Sequence, residues 1–311
     1  MNKINKSKLA FTLIELLVVI AIIGILSALI VVGMSSTTQK ATIAKAQVFS
    51  NSLRNSLMDN LISEWKMDDG SGAVVADSWG GGNTGSISGF TDTTAGYGDT
   101  HNYGWMSSTN CVSGTCLKFD GANNYIGCGS GTNLQFGTGD FTISFWRKRL
   151  NAYRNYNGYV ASSAAAAAYA GFFESVSGET FEMGNAGVFQ SFSLTNLRTG
   201  SKINSFQHIV IMIDRDGKLD SYLDGIKKDS ITITLSTSLS VGFSTLHIGH
   251  FWAGNSDGII DDVQIFKAVI PASQIQQNYF AGINKLFTKN QINNYEYSER
   301  LAELANNYAK E

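Results

Sequence analysis

Proline is almost missing from this chain, with one residue in 311. That excludes a proline-rich linker. Charge is scarce as well: 15 % of residues are charged and the formal net charge is -2. A nucleic-acid surface carries a strong basic excess, and this sequence has none, so no nucleic-acid partner is expected. What the chain has in quantity is glycine, 32 residues of it. The glycines cluster in short polar stretches between β-branched and aromatic runs, the pattern of a turn-rich β protein. The length suits a short appendage plus one large all-β domain of roughly 200–250 residues.

The first residues are polar and basic, with Lys3, Lys6 and Lys8, and then no residue from Leu16 to Met34 is charged. As a helix that run spans roughly 28 Å, close to the hydrocarbon thickness of a bilayer. It is too long for the apolar part of a secretory signal, about 7–15 residues, and no small-residue cleavage site follows it. The basic flank places the extreme N-terminus in the cytoplasm and the rest of the chain across the membrane. Glu15 stands at the start of this run, where a carboxylate is costly and needs a partner. Nothing basic within the run can serve.

The stretch "FTLIELLVVIAIIGILSAL" resembles the type IV prepilin signature, in which a short basic leader ends in Gly or Ala and Phe-Thr-Leu-Ile-Glu follows. Here Ala10 precedes Phe11, Thr12, Leu13, Ile14 and Glu15. The resemblance implies that a prepilin peptidase cuts between Ala10 and Phe11 and that Phe11 becomes an N-methylated N-terminus. It also implies that Glu15 pairs with the terminal ammonium of a neighbouring subunit as a filament grows. Such a pair is strong in low dielectric and expensive to leave unmade, so it can set the register between subunits. Two departures stand out: Ala10 where Gly is commoner, and Val32 where many pilins have a kinking proline. The bland alternative is a plain signal anchor.

From Ser35 to Trp65 there is neither proline nor glycine. Ile43, Ala46, Phe49, Leu53, Leu57 and Leu61 form one apolar stripe at i, i+3, i+4 spacing. This predicts a helix from Phe11 to about Ile62, roughly 78 Å long. Its first half is apolar all round and its second half amphipathic, as in a pilin stalk.

From about Trp65 the period becomes strand-like. "FTISFW", "IVIMIDRDGKLDSYLDG", "ITITL" and "GIIDDVQIF" alternate or run apolar between Gly, Asp and Asn breaks, which predicts an antiparallel sandwich. Several pieces, in this order, resemble the laminin-G-like, concanavalin A-like lectin and glucanase sandwiches. They are "WKMDDGSGAVVADSWGGGNTGSISG", "CLKFDGANNYI", "GTGDFTISFW", "FQHIVIMIDRDGKLDSYLDG", "LHIGHFWAGNSDGIIDDVQIF" and "IPASQIQQNY". Phe206 departs from the tryptophan usual before the histidine, and the alanine-rich stretch Ala161 to Ala170 has no clear place. The expected fold is mainly β: a long N-terminal helix, an antiparallel jelly-roll sandwich and a C-terminal helix. The expected domains are a leader (1–10), a membrane and assembly helix (11–62), the sandwich (63–283) and a helical extension (284–311). In that extension Leu301, Leu304, Ala305 and Tyr308 share a helical face, expected to meet the stalk helix or a neighbouring subunit.

Cys111 and Cys116 flank "CVSGTC". In an exported domain they are expected to close a disulfide, with Cys128 a rival partner; in a reducing compartment all three are buried thiols.

Glycoside hydrolases on this fold need two facing carboxyls, roughly 5–5.5 Å apart for retention. "ESVSGETFE" lacks the Glu-x-Asp-x-(x)-Glu pattern of the glucanase branch, so Glu174, Glu179 and Glu182 read as exposed hairpin carboxylates and no enzyme is expected. His247 and His250, at i and i+3 of one strand, point to opposite faces and do not share a metal. "DRDGKLD" (Asp214 to Asp220) reads as a strand turn rather than a calcium loop. The family resemblance implies a structural calcium at the sandwich edge, with Asp77, Asn83 and Asp261 as candidate ligands. For ligand binding the foremost loop is "RKRLNAYRNYNGY", with Arg147, Arg149, Tyr153, Arg154 and Tyr156; "HNYGW" and "HFWAGN" follow.

The resemblances together imply a type IV pilin-like surface subunit. The precursor sits in the cytoplasmic membrane, and the lectin-like head binds carbohydrate or protein from a surface filament. The alternatives are a secretion-system pseudopilin and a membrane-anchored glycan-active protein.

Overall fold

The structure, a computed structural model, describes residues 60–151, 157–162, 168–175, 178–252 and 254–308. The leader, the apolar run and the amphipathic stripe up to Leu57 lie outside them, with Ala10, Phe11 and Glu15. Among the described residues no helix is long and apolar enough to cross a membrane.

In chain order the strands begin with β1 (Leu61–Trp65), β2 (Val74–Val75), β3 (Gly85–Ser88), β4 (Gly104–Met106), β5 (Cys116–Asp120), β6 (Tyr125–Gly129) and β7 (Gln135–Gly137). They continue with β8 (Phe141–Arg149), β9 (Asn157–Ser162), β10 (Tyr169–Ser175), β11 (Gly178–Asn185), β12 (Val188–Ser193) and β13 (Phe206–Ile213). The last are β14 (Lys218–Leu223), β15 (Ile226–Thr232), β16 (Val241–Gly242), β17 (Leu246–Ile248), β18 (His250–Phe251), β19 (Gly254–Asn255) and β20 (Asp257–Phe266). Helices α1 (Tyr97–Thr100) and α2 (Thr195–Gly200) are short; α3 (Ala272–Thr288) and α4 (Asn294–Tyr308) close the chain.

One sheet runs β15-β14-β13-β8-β20-β5-β4, with β1 also on β20, and the other runs β12-β11-β10-β9-β17-β6-β3-β2. Every paired strand is antiparallel. The β14–β15 hairpin turns through Asp224 and Gly225, at φ 54° and 78°. Two consecutive positive φ angles match the twist of the flanking strands, and Asp-Gly meets that demand at low cost.

Strand β8 shows how the layers are built. Phe141, Ile143 and Phe145 enter the apolar core between the sheets. Thr142, Ser144 and Trp146 face the other way, beneath the C-terminal helices, so both faces are buried. Thr142 Oγ1 donates to the Ala268 carbonyl at 2.7 Å, and Trp146 stacks on Tyr279 at 5.8 Å.

The C-terminal helices cover the outer face of this sheet. The only proline, Pro271, stands just before α3, where its fixed φ starts a helix without losing a hydrogen bond. Tyr279, Ile283, Leu286 and Ile292 join Trp146, Phe206 and Ile259 in a second apolar cluster, and Leu301 and Leu304 pack against it. Arg300, buried on α4, donates to the Phe206 carbonyl at 3.0 Å. The tail therefore docks on the sandwich itself, and Ala305, expected on the packed face, is exposed.

Two boundaries differ from those read in the sequence. Leu61 and Ile62 belong to β1, with Leu61 opposite Phe266, because completing the sheet beside β20 overrides their helical spacing. Helix α3 runs unbroken through the boundary placed at residue 283. The alanine-rich stretch falls on the β9–β10 hairpin, whose residues 163–167 lie outside the described set.

His208 sits beneath α3, with Nε2 2.9 Å from Ser144 Oγ and the ring 5.0 Å from Trp146. Burial pushes its pKa from 6.5 down to about 3, so it folds neutral. Below pH 6.5 the unfolded chain takes up a proton that the folded chain refuses, so this contribution is complete above pH 6.5 and is lost as pH falls toward 3. At pH 5 the loss should reach about 2 kcal/mol. Urea unfolding at pH 7 and pH 5 checks it: His208→Gln should lose less stability over that interval than the parent chain.

Candidate functional site

The foremost sequence candidates are not a surface loop. Arg147 and Arg149 continue β8 in phase with Phe141, Ile143 and Phe145, which carries both between the sheets. Opposite them, Glu174 on β10 and Glu179 on β11 are cross-strand partners, and both are buried, not exposed. Arg147 Nη2 donates to Glu179 Oε1 and, at 2.9 Å, to Ser201 Oγ; its Nη1 lies 3.9 Å from Glu174 Oε2. Arg149 Nη1 and the Tyr159 hydroxyl donate to the two oxygens of Glu174 at 2.9 and 2.8 Å. The Arg147 guanidinium also lies 4.8 Å over the Tyr159 ring.

Burial alone would lower the Arg147 pKa, but Glu179, Tyr159 and Glu174 reverse the balance and hold it charged. Burial, then Glu174, pushes the Tyr159 phenol well above its usual range. With each glutamate facing an arginine inside the sandwich, neither is placed as a free acid or base for a sugar. The network links the two sheets. Tyr153, Arg154 and Tyr156 lie outside the described residues.

The expected calcium ligands are engaged by the protein's own groups. Asp77 accepts from the backbone N–H of Glu64, Trp79 and Asn83 at 3.1–3.2 Å, and Asn83 donates to Ser63 Oγ and Asn133 Oδ1. Asp261 is buried and accepts from the N–H of Val112, Ser113 and Asp262. Backbone amides donate to both carboxylates, which thereby brace their loops. Among the described residues Asp140, Asp214 and Asp216 bring carboxylate oxygens within 4.8 Å. They meet at the β13–β14 turn, where the Arg215 N–H donates to Asp140 and the Gly217 N–H donates to the Asp214 carbonyl.

Cys111 and Cys116 are joined in a disulfide, with Cα atoms 5.6 Å apart. Cys128 is a buried thiol, its pKa pushed well up by burial and by Asp77. Lys289 on the α3–α4 link anchors the disulfide loop through the carbonyls of Ser108 and Cys111.

The surface of the second sheet turned away from the core carries a different group. Tyr125 on β6, His247 on β17 and His250 on β18 form an aromatic triangle, with ring centroids 4.5, 5.5 and 5.3 Å apart. The two histidines therefore share a face, against the strand-parity expectation. Gly249 between them has φ +88°, which ends β17 and turns the chain, and a Cβ there would lie 2.5 Å from the Phe119 ring. Only glycine meets both conditions.

Beyond the kink, Phe251 stacks on Phe173 at 4.4 Å, and Trp252 follows with 61 % of its surface exposed. His250 Nδ1 lies 3.0 Å from Asn255 Oδ1, while the Asn255 amide donates to the Ala122 carbonyl. Burial, then His250, pushes the His247 pKa down to about 4. Exposed and half-exposed rings beside fixed polar groups are what a ligand face requires. The "HFWAGN" loop thus contributes to the strongest surface site, through its contact with Tyr125. "HNYGW" forms a smaller stack, with His101 on Tyr97 at 3.8 Å.

Residues 120–276 match the family described as the Concanavalin A-like lectin/glucanases superfamily. The chain belongs to this superfamily. Residues 5–31 match the prokaryotic N-terminal methylation motif, so the chain joins that motif to a lectin-like sandwich. Among solved structures, the binding domain of Paraclostridial Mosquitocidal Protein 1 is 17 % identical over 72 % of this chain and 53 % of its own, with a TM-score of 0.53. The botulinum neurotoxin serotype D binding domain is 16 % identical over 72 % and 52 %, with a TM-score of 0.52. A botulinum neurotoxin type C structure is 12 % identical over 74 % and 53 %, with a TM-score of 0.52. The chain spans about half the length of these solved chains. At such identity the likeness shows the fold alone. A comparison with curated proteins found no match.

Proposed function

We propose that this superfamily member is a type IV pilin-like surface subunit whose lectin-like head binds glycan or protein and performs no chemistry of its own. The observation that carries the reading is the methylation motif at residues 5–31, placed ahead of a sandwich of the lectin class. The motif supports a membrane-inserted precursor, cleavage after Ala10 by a prepilin peptidase and assembly through the N-terminal helix. The fold supports binding: two of the solved relatives are binding domains, and cell entry of a third, botulinum neurotoxin type C, depends upon interaction with two ganglioside molecules. Burial of Glu174 and Glu179 among arginines argues against a glycanase.

Immunogold electron microscopy of intact cells tests the reading. Antibody to the head should decorate extended surface filaments. Label confined to the envelope would favour a pseudopilin, and reducing-sugar release from polysaccharide by the purified protein would restore the enzyme.

A further inference from the structure

We propose that His247 and His250 form a binding site for a divalent transition-metal ion, zinc, on the outer face of the second sheet. Two imidazoles on one tetrahedral ion, with Zn–N near 2.0–2.1 Å, place their ring centroids roughly 5 Å apart. Here the separation is 5.3 Å, with the ring planes inclined at 48°. Neighbouring residues fix the rings where they are. Gly249 makes the turn that brings both histidines to one face, and Tyr125 packs against each ring.

His250 is also prepared for a metal. Asn255 donates its amide to the Ala122 carbonyl, which aims Oδ1 at His250 and makes His250 Nδ1 the protonated nitrogen. Nε2 of His250 then carries the lone pair. A ring oriented by a carbonyl on its far nitrogen is the usual outer-shell arrangement of a metal-bound histidine. In His247, Nδ1 is buried and has no hydrogen-bond partner among the described residues. Imidazole nitrogen suits zinc and disfavours calcium or magnesium, which take oxygen. Two protein ligands leave positions open on a half-exposed face, where an oxygen or nitrogen from solvent or a bound partner completes the shell. The inference is independent of the filament reading.

Calorimetric titration of zinc chloride into the detergent-solubilised, chelator-stripped full chain at pH 7.5 tests it. One zinc per chain is expected, with binding lost in His247→Ala and in His250→Ala. Asn255→Ala should weaken binding about tenfold or more. Calcium chloride should give no heat assigned to these residues. Melting temperatures in chelator identify any variant that fails to fold, and His250→Gln, which keeps the side chain's bulk, then takes its place. Absence of zinc binding to the parent chain, or affinity unchanged in both histidine variants, overturns the proposal.

Discussion

Arg147→Ala is expected to destabilise the sandwich by about 3–5 kcal/mol, because it leaves Glu174 and Glu179 buried with one arginine between them. For a domain of this size that corresponds to a fall in Tm of roughly 6–20 °C. The effect comes from the stranded carboxylates and is not a measure of the ion pair's net worth. Desolvating four charges is itself costly, and the mutual attraction of Arg147, Arg149, Glu174 and Glu179 offsets much of that cost. The companion variant makes the point: with Arg147→Met, Arg149→Met, Glu174→Leu and Glu179→Leu together, stability should return close to the parent value. Differential scanning calorimetry on both variants checks the pair of outcomes. If the single substitution proves as mild as a surface change, within about 0.5 kcal/mol, the network is not the linkage between sheets that its geometry indicates.

Glu15→Ala should abolish surface filaments while leaving membrane insertion and cleavage after Ala10 intact. The apolar run from Leu16 to Met34 is unchanged by the substitution, and the leader up to Ala10 is untouched. On the proposed filament reading, what is lost is a carboxylate that, in low dielectric, needs the ammonium that proteolysis would create on the next subunit. A pairing of charges needs the charge, so Glu15→Gln should also fail, keeping the shape without it. Immunoblots of sheared filaments against the membrane fraction read the outcome: mature chain retained in the membrane and none in the shear. Normal filament yield from Glu15→Ala would remove the pairing from the account.

The fold was legible because its strands announce themselves. "FTISFW" keeps its phase, "GIIDDVQIF" forms one apolar strand whose register shifts between Asp261 and Gln264, and the single proline falls where α3 begins. The same phase held the answer for the arginines. Arg147 and Arg149 are even numbers of residues from Phe145, so strand parity alone placed them on the core side. Their charge suggested a solvated loop, and the buried glutamates that reverse this lie 25–32 residues on in sequence. The histidines failed in the opposite way. Parity separates His247 from His250 in a regular strand, but Gly249 breaks the strand between them. The glycine in "LHIGH" was the available signal, since an isolated glycine in a strand marks a kink or a close backbone approach. The acceptor roles of Asp77 and Asp261 had no such signal, because their donors are backbone amides of loops as far as 149 residues away.

The filament account rests first on how the N-terminus is processed. Mass spectrometry of the chain recovered from its own cell surface reads this directly. The account predicts a mature protein that begins at N-methylated Phe11. An intact Met1, or a cut at any other bond, would contradict it and leave the lectin-like sandwich as a membrane-tethered binding domain.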